Sequence, residues 1–154
     1  GYVGNRSITV AKLIKKISKQ YKVSVCPINA YFEISADQAI QCYQNLGSMM
    51  PAMVISLGQG PCRIDVEYRL STLPIEAFLE AKLENNKVQV IASDNAGAYV
   101  CNDVFYLLAK YFEQTSMPYG FIHVPDVDCK DPQIADIDVA RMLDRMIEKG
   151  LAAK

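Results

Sequence analysis

The chain has 154 residues, 51% of them hydrophobic and 21% charged, with 16 basic and 17 acidic side chains and a formal net charge of −1. That balance belongs to one folded domain with a buried core, and it gives a nucleic acid or an anionic membrane no electrostatic footprint to bind. No apolar run is long enough to span a bilayer and the N-terminus lacks the basic-then-apolar order of a signal peptide, so the sequence reads as soluble and cytoplasmic.

Ser7 stands where it could cap a helix over residues 8–21, in which Val10, Leu13, Ile14 and Ile17 form an apolar stripe opposite Lys12, Lys15, Lys16 and Lys19. Residues 23–28 alternate and are rich in β-branched side chains, a strand that Pro27 closes. Helical spacing returns over 36–46 with Gly47 as its stop, and 52–57 is a short apolar run between Pro51 and Gly58, the pattern of a strand buried on both faces. Gly58-Gln59-Gly60-Pro61 reads as a turn after that strand, where open α/β sheets place ligand loops. It has neither GxGxxG nor a Walker lysine, so it is not a phosphate loop.

Thr72 and Pro74 open a helix with a stripe through Ile75, Phe78, Leu79 and Leu83, which Asn85-Asn86 ends. Residues 87–92 form a strand, 101–112 a helix, 120–124 a strand and 137–149 a last amphipathic helix closed by Gly150. Helix and strand alternate with short connections, which predicts an α/β fold: a three-layer αβα sandwich with a mainly parallel twisted sheet covered by helices on both faces.

The five cysteines, Cys26, Cys42, Cys62, Cys101 and Cys129, are an odd set without a CxxC, and the chain has one histidine. A zinc site would have to collect thiolates from scattered positions, so no metal and no cofactor are expected, and most of these thiols read as small buried hydrophobes. Cys101 differs. It follows Ser93-Asp94-Asn95-Ala96-Gly97-Ala98-Tyr99-Val100, a strand tail and turn that deliver it to the start of a helical pattern. Unpaired N–H groups and the positive end of the macrodipole favour a negative charge there, which is where a reactive thiol belongs. His123 ends the strand-like run that begins at Gly120, and if a Cys–His pair works here the base can be no other residue.

Tyr68-Arg69-Leu70-Ser71-Thr72-Leu73-Pro74, Asn95-Ala96-Gly97-Ala98-Tyr99-Val100-Cys101-Asn102 and Gly120-Phe121-Ile122-His123-Val124-Pro125, in that order, resemble the pyroglutamyl peptidase I (pyrrolidone-carboxylate peptidase) family. Its members are cysteine peptidases that remove N-terminal pyroglutamate from peptides. The resemblance implies Cys101 as nucleophile, His123 as base and Glu67, near Arg63, as the acid that orients the ring, with a thioester intermediate. It also implies a substrate-binding role for Gln59, for Tyr99, which stands where the family carries phenylalanine, and for Val100 and Asn5. Asp126 and Asp128 follow His123 closely and are the other acids that could orient it. The implied partner is a peptide with an N-terminal pyroglutamate, and the family forms dimers and tetramers, so a homo-oligomer is implied too.

The sequence departs from the family at two places that border the same site. The family's first strand and its phenylalanine-bearing loop are reduced to Gly1-Tyr2-Val3-Gly4, and a long loop after the glutamate is missing between Glu67 and Tyr68. Residues 1–154 therefore read as a single domain lacking those two segments. An active pyroglutamyl peptidase is the leading reading, and a catalytically degenerate relative that binds peptide ends or serves in an assembly is the alternative.

Overall fold

A strand buried along its whole length has to lie inside a sheet, and β4, Tyr119–Pro125, is buried at every residue. In the computed structural model, which describes residues 6–28, 34–47, 49–81, 87–97, 100–129 and 133–153, β4 has a neighbour on each side. Strand β1 (Val54–Gly60) runs parallel to it, Val54 beside Tyr119 and Gly60 beside Pro125, while β2 (Ile64–Glu67) runs antiparallel, Asp65 opposite His123 and Glu67 opposite Phe121. Strand β3 (Val90–Ser93) lies parallel to β2 at the far edge, giving the order β1-β4-β2-β3. Two parallel pairs thus meet at one antiparallel seam.

Period-two alternation divides β4 between two cores. Ile122 and Val124 join Val10, Phe78, Val139 and Met146 under α1 (Arg6–Ile17), α3 (Ile75–Glu80) and α5 (Asp136–Ala152). Tyr119 and Phe121 join Val104, Phe105, Leu108 and Phe112 under α2 (Ile34–Gln44) and α4 (Val100–Glu113) on the other face. The expected α/β fold with helices on both faces is present, and no helix among the described residues is long and apolar enough to cross a membrane.

Several local expectations give way. Residues 23–28 join no strand: Pro27 has no N–H to offer a ladder, and Cys26 is instead bonded to Cys42 of α2. A second disulfide joins Cys62 to Cys129, so only Cys101 is a free cysteine and the reading of the other four as buried thiols is corrected. Strand β2 has no counterpart in the sequence reading, and β1 continues through Gly58 and Gly60 where a turn was expected. Ser7 lies within the first turn of α1 rather than ahead of it. The Thr72 hydroxyl accepts the Tyr119 N–H at 2.9 Å instead of capping α3, whose N-cap is Pro74 with no side-chain hydrogen bond. Leu83 and Asn85-Asn86 fall outside the described residues.

Helix α5 also runs past Gly150 to Ala152. Gly150 is not a stop there; a side chain at this position would drive into the Phe78 ring of α3. Helix propensity alone favours alanine over glycine by ~1 kcal/mol. Overpacking Phe78 acts against it, and Gly150→Ala should be destabilising by about 1–3 kcal/mol in urea denaturation. A midpoint equal to or above that of the parent chain would show that α3 does not need this notch.

Candidate active site

The antiparallel seam puts four side chains on the α4 face of the sheet, because directly opposed residues share a face and so do residues two apart. They are Phe121 and His123 from β4 and Asp65 and Glu67 from β2. Both carboxylates are buried, at 3% and 1% exposure, and a buried charge needs a partner. Asp65 Oδ1 takes the Arg63 guanidinium, Nε at 2.6 Å. Glu67 Oε1 faces His123 Nδ1 at 3.2 Å. The Phe121 ring lies beside the imidazole, centroids 4.9 Å apart.

Cys101 is the second residue of α4. The turn that leads to it uses Gly97 at φ +86, in the left-handed region, with the Gly97 N–H donated to Asn95 Oδ1 at 2.9 Å. The cysteine sulfur then comes down onto β1 at Gly58, where a Cβ would stand 2.6 Å from Sγ and 2.9 Å from the Phe121 ring. Two residues on, a Cβ at Gly60 would stand 2.9 Å from His123 Cβ. Neither glycine has a positive φ. Their role is steric: β1 has no side chains under the thiol and the imidazole, so α4 can bring one to the other.

Burial alone would push the His123 pKa down. Hydrogen bonds to Cys101 and Glu67, with the charge of both, outweigh it and raise the ring from 6.5 to about 9. Glu67 occupies Nδ1, which leaves Nε2 for the sulfur. A nucleophilic sulfur, a ring that can carry its proton and a buried acid that fixes the ring form a Cys–His–Glu set able to perform acyl transfer.

The cleft beside this set, about 510 Å³, is lined by Glu67, Arg69, Leu70, Asn95, Asn102 and Phe105 among others. Of the other residues singled out by sequence, Val100 opens α4. Gln59 alternates away from the glycines, and its Oε1 accepts the Arg6 N–H at 2.6 Å, closing the start of α1. Asp126 Oδ1 accepts the Asp128 N–H at 3.0 Å in the turn after β4, while Glu67 is the acid on the ring. Asn5 and Tyr99 lie outside the described residues. Sequence reasoning missed Asp65 with Arg63, and the steric role of Gly58 and Gly60; the alternation Ile64-Asp65-Val66-Glu67 was the available signal for a strand with one acidic face. Among the described residues no three His, Cys, Asp or Glu side chains converge as a metal site.

Because the chain has one histidine, its C2-proton resonance reports this ring alone. It should titrate near 9 in the parent chain, and Cys101→Ser and Glu67→Gln should each lower the midpoint. A midpoint unmoved in both variants would mean that the ring does not sit between them. The folded value lies above the ordinary 6.5, so the ring's contribution to stability is complete below about 6.5 and is lost as pH rises through about 9.

A family model described as pyroglutamyl peptidase matches residues 65–154, from the second residue of β2 through the Cys101 segment and β4. The pyrrolidone-carboxylate peptidase of Pseudomonas fluorescens (strain SBW25) is 30% identical over 114 residues, covering 53% of this chain and 53% of that protein. The one from Klebsiella pneumoniae (strain 342) is 27% identical over 148 residues, with 71% and 69% covered. This chain thus spans about half the length of the first of these relatives. The fold is shared with the pyroglutamyl peptidase I of Bacillus amyloliquefaciens, TM-score 0.79 at 18% identity over 97% of this chain and 89% of that one. It is likewise shared with the pyrrolidone carboxyl peptidase of Thermococcus litoralis, TM-score 0.80 at 18% identity over 99% and 90%. With more than half of its length matched by the family model, the chain belongs to the pyroglutamyl peptidase family.

Proposed function

We propose that this protein hydrolyses the amide bond that follows an N-terminal pyroglutamyl residue, with Cys101 as nucleophile, His123 as proton carrier and Glu67 as the residue that holds the imidazole. The observation that carries the proposal is the buried Glu67–His123 contact at 3.2 Å, with Cys101 as the ring's other partner.

In the first half-reaction the Cys101 sulfur, its proton transferred to His123, attacks the amide carbon. Backbone N–H groups at the start of α4 are the natural donors to the resulting oxyanion, because the first N–H groups of a helix have no partner within it. The imidazolium gives its proton to the departing amine, the C–N bond breaks and a thioester remains. Water, deprotonated by His123, then releases pyroglutamate and regenerates the thiol. Glu67 keeps Nδ1 occupied throughout, so that Nε2 faces the chemistry. The cleft of about 510 Å³ beside Glu67 has room for the lactam ring and the first following residues. Val100, Tyr99 and Asn5 belong to the proposed binding set, and Gln59 supports it by closing α1 against the end of β1.

Hydrolysis of a pyroglutamyl-linked chromogenic amide tests the proposal. The parent chain should cleave it, Cys101→Ala should lose at least ~10³-fold in kcat/KM, and Gly58→Ala, which crowds the sulfur, should also lose turnover. Undiminished cleavage by Cys101→Ala would refute the assignment. Binding of the amide without turnover by the parent chain would favour the degenerate, peptide-end-binding reading.

A further inference from the structure

Strands β1 and β4 end side by side, Gly60 against Pro125, and just past both ends the chain is cross-linked to itself by the Cys62–Cys129 disulfide. Cys62 is two residues beyond Gly60, the residue whose missing side chain makes room for the His123 ring. Cys129 is buried at 5% exposure and closes the turn after β4, its N–H donated to the Asp126 carbonyl at 3.1 Å. The 60–65 segment therefore reaches His123 in three ways: Gly60 under the ring, Asp65 opposite it in the seam, and Cys62 bonded to the loop that leaves its strand.

The same loop is held from another direction by Arg6. Its guanidinium donates to the Pro125 carbonyl at 3.3 Å and the Ile134 carbonyl at 3.1 Å, and its Nε pairs with Asp136 at 2.8 Å. Arg6 fixes the loop to α1 and α5, whereas the disulfide ties it covalently to the segment that carries Gly60 and Asp65. The other disulfide, Cys26–Cys42, joins the 23–28 segment to α2.

We propose that the Cys62–Cys129 disulfide is a positioning element for catalysis, holding the ends of β1 and β4 in register so that His123 stays aligned with Cys101 and Glu67, and that reducing it slows turnover. The proposal rests on the activity proposed above. A dithiol reductant opens the bond by two exchanges: its thiolate attacks one sulfur, the S–S bond breaks to give a mixed disulfide, and its second thiol displaces the protein sulfur. Two electrons and two protons end on Cys62 and Cys129, and the reductant leaves as a cyclic disulfide. Cys101 must be a free thiol to act. The enzyme therefore needs one sulfur reduced and two others oxidised, and its dependence on reductant has an optimum instead of a plateau.

The test is a dithiothreitol titration of the intact protein, with alkylation and mass spectrometry to count thiols, kcat and KM on the pyroglutamyl amide, the His123 proton resonance, and far-UV circular dichroism. Before reduction, native alkylation should label Cys101 alone. As Cys62 and Cys129 become labelled, kcat should fall by ~10-fold or more, the scale expected of a misplaced catalytic group. KM should stay close to its starting value, and reoxidation should restore kcat. A Cys62→Ser/Cys129→Ser variant should show the low rate at every reductant concentration, while Cys26→Ser/Cys42→Ser keeps the full response. Constant kcat through complete reduction of Cys62–Cys129 overturns the proposal, as does a fall that comes only with loss of the dichroism signal. Should the serine variant fail to fold, the titration of the parent protein decides alone. The His123 resonance should shift as the bond opens whether or not the amide is cleaved, so a failure of the proposed activity is told apart from a failure of the positioning role.

Discussion

The antiparallel seam between β2 and β4 is the constraint from which the site follows. It sets Asp65 opposite His123 and lets Glu67, two pairs further along on the same face, reach the ring on the diagonal. A slip of one residue in this pairing would turn both carboxylates toward the α1, α3 and α5 core and bring Ile64 and Val66 out of it. Those two side chains are fully buried there. The apolar half of β2 therefore holds the register that its polar half needs, and the energy that fixes the site comes from burial on the opposite face of the same strand.

The position of Cys101 depends on a second layer. Helix α4 rests on an aromatic bed, Phe112 stacked on Tyr119 at 5.2 Å and Phe105 tilted against Phe121 at 5.8 Å, pairs that contribute about 0.5–1.5 kcal/mol each beyond the area they bury. The Tyr119 hydroxyl is satisfied by Ser56 at 2.8 Å, and burial pushes its pKa up, so it stays neutral beneath the site. This bed sets the height of the helix above the sheet. The space left by Gly58 and Gly60 then lets its first turn descend until sulfur and imidazole meet.

The pairing of Cys101 with His123 was more legible in the sequence than the elements that support it. Cys101 and His123 stand out because a turn-to-helix junction and a lone histidine at a strand end are local patterns, and α4 and α5 carry strong helical stripes. Strand β2 was hidden because Asp65 and Glu67 make it look like a polar connection; two buried acids in four residues make sense only once Arg63 and His123 are known to meet them. Gly58 and Gly60 suggested a turn because glycine usually signals backbone freedom, whereas here it signals the absence of a side chain. The disulfides left no trace in local spacing, since Cys62 and Cys129 are 67 positions apart and are brought together only by the pairing of β1 with β4.

Between about pH 5 and 8 proteins ordinarily change their charge through surface histidines. This chain has none to change: its one imidazole is buried and keeps its proton up to about 9, and four of its five sulfurs are bonded and do not titrate. Histidine therefore contributes no step over that range to the charge that this chain presents to approaching molecules.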